Sequence, residues 1–267
     1  MSNASVFAAL HTAPGPFLLP NAWDVASALL LADGGFPAIG TTSLGITAAA
    51  GLPDGAGAGR NLTVGLAGAL TARLPVPLTV DLEGGYSDDP ADVAALAAQL
   101  HALGVAGVNL EDGRPDGQLR PVAEHAAIIS AVTAAAPGLF VNARTDTYWL
   151  NVRPDNDRPR DTIHRLLAYR DAGASGVFTP GLTDLHVIED VATRIALPLN
   201  VLWQPHANLA HLRSAGVARI STGSVLYRHA LAAALRAAAA AGIGNQPADT
   251  PLTNDDVQQT LSRHDHR

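Results

Sequence analysis

The chain has 267 residues, of which 48% are hydrophobic, and it carries a formal net charge of -7 at pH 7. This hydrophobic share excludes a disordered chain, and the acidic balance without a long basic run argues against nucleic acid and anionic membranes as partners. Because there is no cysteine, disulfides, thiolate metal sites and a cysteine nucleophile are excluded. The first residues lack the features of a secretory signal, and no apolar stretch is long enough to cross a membrane, so we expect a cytoplasmic protein.

Eight short apolar runs recur along the chain, and each is followed by a turn and a helical pattern. They predict strands at residues 17–20, 38–41, 78–81, 107–111, 140–144, 176–179, 199–202 and 219–222. Helices are predicted between them at residues 25–32, 90–103, 122–135, 159–172, 185–195 and 208–215. We expect Gly34, Gly104, Gly173 and Gly216 to adopt a left-handed conformation after four of these helices. The alternation predicts an α/β fold, a closed (β/α)8 TIM barrel with additional C-terminal helices.

The C-terminal part of the chain extends beyond these units. No linker or change of composition divides residues 1–246, so they are expected to form one (β/α)8 barrel catalytic domain. A helix rich in Ala and Leu is predicted at residues 225–241, and either the same barrel or a neighbouring subunit could receive it. Residues 247–267 are predicted to be a polar tail in which Asp255 and Asp256 open a short helix, a candidate subunit interface.

Charged side chains follow three consecutive predicted strands at the points where these strands end. Asp81 and Glu83 come at the end of the third strand, Glu111 ends the fourth, and Arg144 ends the fifth. Side chains in a strand alternate between its faces, so Asp81 and Glu83 are expected on the same side. The carboxyl ends of barrel strands form the active-site face, and oxygen ligands without Cys favour Mg2+ or Mn2+ over Zn2+. The sequence therefore predicts a divalent-metal enzyme site on this face.

Five motifs occur in an order that is similar to that of one known family. They are Leu19-Pro20-Asn21-Ala22-Trp23-Asp24, Gly40-Thr41-Thr42-Ser43-Leu44, Asp81-Leu82-Glu83-Gly84-Gly85-Tyr86, Leu110-Glu111-Asp112 and Asn142-Ala143-Arg144. Together they resemble the isocitrate lyase/phosphoenolpyruvate mutase superfamily, from about Phe17 to about Gly223. The resemblance implies a (β/α)8 barrel, a magnesium ion, and small 2-oxo or 2-hydroxy carboxylate substrates in which a carbon–carbon or carbon–phosphorus bond is made or broken. It also implies a homo-oligomer, a tetramer or dimer, in which a C-terminal helix such as residues 225–241 is exchanged between barrels.

The resemblance also implies roles for individual acids around the metal. Asp81 matches the direct metal ligand, and Glu83 and Glu111 match acids that hold water molecules of the metal. Asp54, in the loop after the second predicted strand, matches a further acidic position of the site. Asp54 and Glu111 are therefore catalytic candidates, together with Arg144.

A second group of residues is implied to hold the substrate. Arg144 matches the arginine that binds it, and the backbone amides of Thr42, Ser43 and Leu44 match the segment that binds its carboxylate. When a bond next to the carbonyl carbon breaks, negative charge moves onto the carbonyl oxygen. The metal and Arg144 are expected to stabilise this enolate.

Two departures from the family pattern bear on the reaction. The loop at residues 113–121 is short and contains neither the Cys of isocitrate-type lyases nor the Asn of phosphonate-forming mutases, and Glu83 stands where better-known members have Asp. The expected function is a Mg2+-dependent lyase that acts on a small 2-hydroxy or 2-oxo dicarboxylate, isocitrate- or methylisocitrate-like, through an enolate, and binds or releases a 2-oxo acid. A phosphonomutase-, phosphonopyruvate hydrolase- or oxaloacetate decarboxylase-like enzyme is the alternative within this class. A catalytically weak 2-oxo-acid-binding protein is the alternative from another class, since the loop acid is missing. Tyr86, His206 and a metal-bound water are candidates to replace this acid.

Some of these side chains also have purely structural interpretations. Arg144 could be a scaffold partner of Asp146 or Glu111. The segment Thr222-Gly223-Ser224 is similar to an anion-binding helix start, but Ser224 as an N-cap is the preferred interpretation. Three further residues are expected to be exposed to solvent: Arg114, Arg120 and His125.

Overall fold

The computed structural model of the chain describes residues 2–55, 57–150, 152, 154–242 and 252–264. Within these ranges nine parallel strands form one sheet: β1 Phe17–Leu19, β2 Asn21–Ala22, β3 Ile39–Thr41, β4 Leu78–Asp81, β5 Gly107–Glu111, β6 Phe140–Arg144, β7 Gly176–Phe178, β8 Leu199–Leu202 and β9 Val217–Ser221. Their order in the sheet is β1-β9-β8-β7-β6-β5-β4-β3-β2.

The sheet closes through its first strand. β1 and β2 are the two ends of the strand order, yet Pro20 alone separates them in sequence. β1 pairs with β9 and β2 pairs with β3, so one interrupted strand joins both edges. Pro20 interrupts it because proline has no N–H to donate, while its carbonyl oxygen accepts from the Gly40 N–H at 2.9 Å. With β1 and β2 taken as one strand, the prediction of a (β/α)8 barrel is confirmed.

The described ranges contain eleven helices: α1 Asn3–Leu10, α2 Val25–Asp33, α3 Ser43–Ala49, α4 Arg60–Thr71, α5 Pro90–Ala102, α6 Val122–Ala135, α7 Arg158–Asp171, α8 Leu185–Ile195, α9 Leu209–Ser214, α10 Val225–Ala240 and α11 Asn254–His264. The six helices predicted between strands are present, with ends that differ by one residue at most. α1, α3 and α4 were not predicted. Gly65 and Gly68 lower the helix propensity of α4, but its Ala67 and Leu70 are fully buried, and this packing outweighs propensity.

Three of the four predicted left-handed glycines are confirmed. Gly104, Gly173 and Gly216 have φ angles of 96°, 100° and 85°. The prediction for Gly34 is wrong, because its φ is -69° and the left-handed residue is Gly35, at 85°. Helix α2 continues one residue further than predicted, and the turn shifts with it.

Helix α1 closes the amino-terminal end of the barrel. Phe7 is fully buried in a cluster with Leu19, Ala38, Ala106 and Phe140, most of which lie at or just before the starts of strands. His11, in the turn after α1, stacks on the Phe140 ring at a centroid distance of 4.0 Å and an interplanar angle of 16°. The carboxyl ends of the strands therefore form the open face.

The C-terminal helices pack beside that open face. Val257 of α11 lies in one cluster with Leu44 and Ala48 of α3 and with Tyr227 of α10. Ser224 is the N-cap residue of α10, as predicted, but its side chain makes no capping hydrogen bond. Its hydroxyl donates instead to Asn254 Oδ1 at 2.8 Å and so joins the two helices. The predicted turn-rich start of the tail at Pro247 lies outside the described residues. None of the described helices combines the length and apolarity needed to cross a membrane.

Candidate active site

A cavity of about 1080 Å³ opens at the carboxyl ends of the barrel strands. The residues that the family resemblance implies for binding metal and substrate all line it: Thr42, Ser43, Leu44, Asp54, Asp81, Glu83, Glu111 and Arg144. They follow or end the four consecutive strands β3 to β6. The fold thus brings them together on one side of the open face.

The cavity has an acidic half and an apolar half. Most of its acids end or follow β3, β4 and β5, whereas five apolar side chains belong to β7 and β8 or follow β6 and β7: Trp149, Leu150, Phe178, Pro180 and Leu202. Strands with consecutive numbers are neighbours here, so each group forms a continuous wall. Such a cavity suits a ligand with oxygen-rich groups at one end and a carbon skeleton at the other.

Asp81 is held in place by the segment that follows β3. Its backbone N–H donates to Thr41 Oγ1 at 2.9 Å, and its Oδ2 accepts from the Ser43 N–H at 3.2 Å. The Thr42 N–H is also occupied, since it donates to the Ala22 carbonyl oxygen at 3.1 Å. Of the three amides expected to bind a carboxylate, that of Leu44 remains, in the first turn of α3, where N–H groups have no acceptor within the helix.

Glu83 enters the cavity through a strained turn. The chain leaves β4 at Asp81, and Glu83 has a φ of 50°, which costs a non-glycine residue about 1–2 kcal/mol. The turn is held by the Glu111 N–H, which donates to the Glu83 carbonyl oxygen at 2.9 Å. Glu83 Oε2 accepts from the Gly57 N–H at 3.3 Å. The left-handed turn, and not the expected strand alternation, places Glu83 beside Asp81.

Three carboxylate oxygens around the acidic half are buried and have no partner among the described residues: Asp54 Oδ1, Asp81 Oδ1 and Glu83 Oε1. Burial and then the charge of Asp81 raise the pKa of Asp54 to about 6. Burial and then Asp54 raise the pKa of Glu83 to about 7. Ionised carboxylates that are buried without partners are costly. A cation bound between Asp54, Asp81 and Glu83 would therefore stabilise their ionised forms.

The donor set is made of oxygen atoms, which are the ligands that hard divalent cations prefer. In the part of the chain that the structure describes, no three His, Cys, Asp or Glu side chains converge closely enough for an all-protein metal site. Mg2+ does not require one, because it keeps several water molecules and takes one or two carboxylates directly. The residues present therefore fit an ion bound in that manner.

Arg144 lies between two carboxylates. Its Nη1 contacts Glu111 Oε2 at 2.5 Å, and its Nε and Nη2 donate to the two carboxylate oxygens of Asp146 at 2.6 and 3.0 Å. Burial raises the pKa of Glu111 above its usual range, although Arg144 opposes the shift. Both scaffold pairs considered from the sequence are thus present. A guanidinium has five N–H groups, so Arg144 still has donors for a ligand in the cavity that it lines.

Asp112 supports the segment that follows Arg144. It is fully buried and accepts hydrogen bonds from Thr145 Oγ1, the Asp146 N–H and Tyr169 OH at 2.8, 2.9 and 2.7 Å. Arg165 Nη1 lies 3.2 Å from the same carboxylate. Sequence spacing contained no signal for this network, because its members come from three separate elements.

The expectation that Arg120 and His125 are exposed is wrong. Arg120 is 4% exposed and donates to the Gly84 carbonyl oxygen at 3.1 Å and to Asp88 Oδ1 at 2.8 Å. His125 is fully buried, and its Nδ1 accepts from Arg120 Nη1 at 3.3 Å. Both side chains support the turn at Gly84, next to Glu83.

The two side chains considered as proton donors differ in position. Tyr86 lines the cavity, and its hydroxyl lies 3.0 Å from Thr63 Oγ1. Burial and then Glu83 raise the pKa of Tyr86, so the phenol stays protonated. His206 is exposed and does not line the cavity. The structure therefore leaves Tyr86 as the better placed of the two.

Comparisons with known proteins agree with this architecture. The model of the phosphoenolpyruvate phosphomutase family matches residues 7–241. An uncharacterised protein of Mycobacterium tuberculosis is 43% identical over 259 residues, 97% of this chain and 96% of the relative. 2-Methylisocitrate lyase of Bacillus subtilis is 33% identical over 204 residues, 73% of this chain and 65% of the relative. The crystal structure of a Burkholderia cenocepacia protein, provisionally designated a phosphonomutase, superposes with a TM-score of 0.83 at 38% identity, covering 90% of this chain and 99% of that one.

The matched region contains all nine strands of the described barrel and every selected residue of the cavity. The family resemblance drawn from five motifs is confirmed, and so is the expectation of an enzyme. The chain belongs to the phosphoenolpyruvate phosphomutase family, within the isocitrate lyase/phosphoenolpyruvate mutase superfamily of lyases and mutases.

Proposed function

We propose that this protein is a Mg2+-dependent lyase for a small 2-hydroxy or 2-oxo dicarboxylate, acting through an enolate and binding or releasing a 2-oxo acid. The observation that carries the proposal is the set of unpaired buried oxygens of Asp54, Asp81 and Glu83 beside Arg144 in one cavity. An acidic group of this kind repels a carboxylate substrate unless a cation lies between them. The same cavity offers Arg144 and an apolar wall to the rest of the substrate.

Asp81 would be the direct ligand of Mg2+, and Glu83 and Glu111 would hold its water molecules. When bound, the ion supplies a positive charge that stabilises the enolate oxygen. Mn2+ can take the same place, because it prefers the same oxygen ligands. Asp54 lies in the loop that α11 contacts, since its N–H donates to Gln258 Oε1 at 3.4 Å.

Arg144 and the Leu44 amide would bind the carboxylate of the 2-oxo acid. Glu111 and Asp146 hold the guanidinium in a fixed orientation, so it loses little entropy when the substrate binds. Tyr86 is a proton donor to the carbanion form of the enolate, because its phenol is protonated and lines the cavity. The apolar wall around Phe178 excludes water from the reacting carbon atoms.

Oxaloacetate decarboxylation is the second candidate, and the short loop at residues 113–121 favours it. A lyase that cleaves a 2-hydroxy acid needs a base to remove the hydroxyl proton, whereas loss of carbon dioxide from oxaloacetate needs none. This loop contains no cysteine, and its strand-like bridge between Gly113 and Leu119 makes it a compact turn.

A substrate panel tests the proposal. Isocitrate, 2-methylisocitrate, substituted malates, oxaloacetate and phosphonopyruvate are each incubated with Mg2+ or with EDTA, and 2-oxo acids and phosphate are measured. We expect one carboxylate to be cleaved only with Mg2+, and the product identifies the bond. Metal-dependent binding of 2-oxo acids without any turnover would instead support a binding protein. Absence of both turnover and binding would contradict the proposal.

A further inference from the structure

One arginine inside the barrel has no carboxylate partner among the described residues. Arg219 of β9 is fully buried, and its Nη2 donates to Asn109 Oδ1 at 2.7 Å. Its Nε and Nη1 have no partner among the residues that the structure describes. Barrel interiors are usually filled by branched apolar side chains, and a buried guanidinium without a counter-charge is costly. Arg219 therefore needs an explanation other than packing.

Arg219 determines the orientation of the Asn109 amide. Asn142 Nδ2 donates to the same Asn109 Oδ1 at 2.8 Å. A guanidinium can only donate, so the oxygen of this amide must face Arg219, and its nitrogen must face away. Asn109 Nδ2 makes no hydrogen bond to a described residue, although Asn109 is 6% exposed and lines the cavity. The two amide N–H groups therefore face the cavity floor.

Two carboxylates lie close to Asn109 on its own strand and on the neighbouring one. Asn109 pairs in register with Asp81, and Glu111 lies two residues further along β5. When ionised, these carboxylates can only accept hydrogen bonds. A ligand with several oxygen atoms thus meets a neutral donor at Asn109. The positive charge behind Asn109 Oδ1 polarises the amide and strengthens its N–H groups as donors.

We propose that Asn109 binds the substrate by donating a hydrogen bond from Nδ2 to an oxygen atom of the 2-oxo acid, and that Arg219 is its positioning residue. This inference rests on the proposed function, since a 2-oxo acid is its ligand. Arg219 does not touch the substrate. It holds the amide in the donating orientation and supplies the charge that polarises it.

Calorimetric binding of oxalate in the presence of Mg2+ tests the proposal, since oxalate is a planar analogue of the enolate of a 2-oxo acid. Asn109→Leu removes the donor at nearly constant volume, and we expect the Kd of oxalate to rise about 10- to 100-fold. Arg219→Met should raise it about 10-fold, and Arg219→Lys should restore part of the loss because it keeps a donor and a charge. Thr79→Val is the control, because the Thr79 hydroxyl is buried without a partner in the described part of the chain but does not line the cavity.

The Asn109 side-chain amide can also be observed directly in the wild-type protein. Its resonances in nitrogen–proton correlation spectra are assigned by their absence from an Asn109→Ser variant. We expect them to shift when oxalate is added to the Mg2+-loaded protein. A shift that is complete with Mg2+ alone would place the amide against the metal shell or Asp81 and would overturn the proposal.

The outcomes separate this proposal from the proposed function. If wild-type protein does not bind oxalate with Mg2+, the proposed function fails, and this inference fails with it. If wild-type protein binds oxalate and Asn109→Leu binds it equally well, only the role of Asn109 is refuted. If Asn109→Leu weakens binding while Arg219→Met does not, the positioning role of Arg219 is refuted.

Discussion

Asp112 accepts a hydrogen bond from the backbone N–H of Asp146 at 2.9 Å. This contact positions Asp146, whose carboxylate in turn holds Arg144. Arg144 is thus supported by Asp146, and Asp146 is supported by Asp112. Asp112 is fully buried, whereas Arg144 lines the cavity. The position of Arg144 therefore depends on a side chain that does not line the cavity.

Replacement of Asp112 should destabilise the fold. In Asp112→Ala, Arg165 loses its buried partner and Tyr169 and Thr145 lose their acceptor, so we expect the free energy of unfolding to fall by about 3–5 kcal/mol. Urea denaturation measures the change. Asp92→Ala is the control, since Asp92 pairs with Arg60 at the surface, and it should have a much smaller effect. Equal losses in the two variants would contradict a structural role for the Asp112 network.

Arg144→Lys should impair catalysis more than folding. A lysine cannot bind both oxygens of Asp146 and also reach Glu111, so the charge loses its orientation toward the substrate. We expect kcat/KM to fall about 100-fold or more for the substrate that the panel identifies. Arg60→Lys is the matched control, because Arg60 also makes two hydrogen bonds to one carboxylate, that of Asp92, outside the cavity. A loss below about threefold in Arg144→Lys would refute its role as a substrate ligand.

Metal affinity should depend on Asp81. Asp81→Asn removes the carboxylate that is proposed to bind the ion directly, so the Kd of Mn2+ should rise at least about 10- to 100-fold. Electron paramagnetic resonance of free Mn2+ gives this Kd without a need for turnover. Asp116→Asn makes the same chemical change at an exposed position of the cavity mouth and should bind as the wild type does. Unchanged binding in Asp81→Asn would place the metal elsewhere or exclude it.

Stability should fall in mild acid through two buried histidines. Burial and then the charge of Arg219 lower the pKa of His11 from 6.5 to about 3. Burial lowers the pKa of His125 from 6.5 to about 4. Between these values and 6.5 the unfolded chain binds more protons than the folded one, so stability present above pH 6.5 is lost as the pH decreases. Each histidine should remove about 1.4 kcal/mol between pH 7.5 and pH 5.5.

Variants isolate this contribution from that of the carboxylates, several of which have raised pKa values and act in the opposite sense. In His11→Gln and His125→Asn, the difference in unfolding free energy between the two pH values should be smaller than in wild type by the amount that each histidine contributes. His229→Asn is the exposed control. If all three variants keep the wild-type pH dependence, the buried histidines are not the cause.

Much of the barrel could be predicted because its signals are local. Each strand is a short apolar run and each following helix carries its own periodicity, so six helices were predicted to within one residue. The selected cavity residues also follow from local position, since a residue at the carboxyl end of a parallel strand must lie on the open face. Asp81, Glu111 and Arg144 were selected in this way. The helices α3 and α4 were missed because tertiary packing, rather than propensity, holds them.

The sequence by itself determined the fold class, the family and the face on which the acids lie, because strand period, chain order and local motifs suffice for these. Tertiary structure alone decided how the acids are oriented. Glu83 reaches Asp81 through a residue with positive φ, and a buried arginine from β9 turns the Asn109 amide toward the cavity. Both depend on contacts between residues far apart in the chain, such as that of Asn109 with Arg219. Such contacts exist only after the barrel has closed, and no periodic pattern in the sequence indicates them.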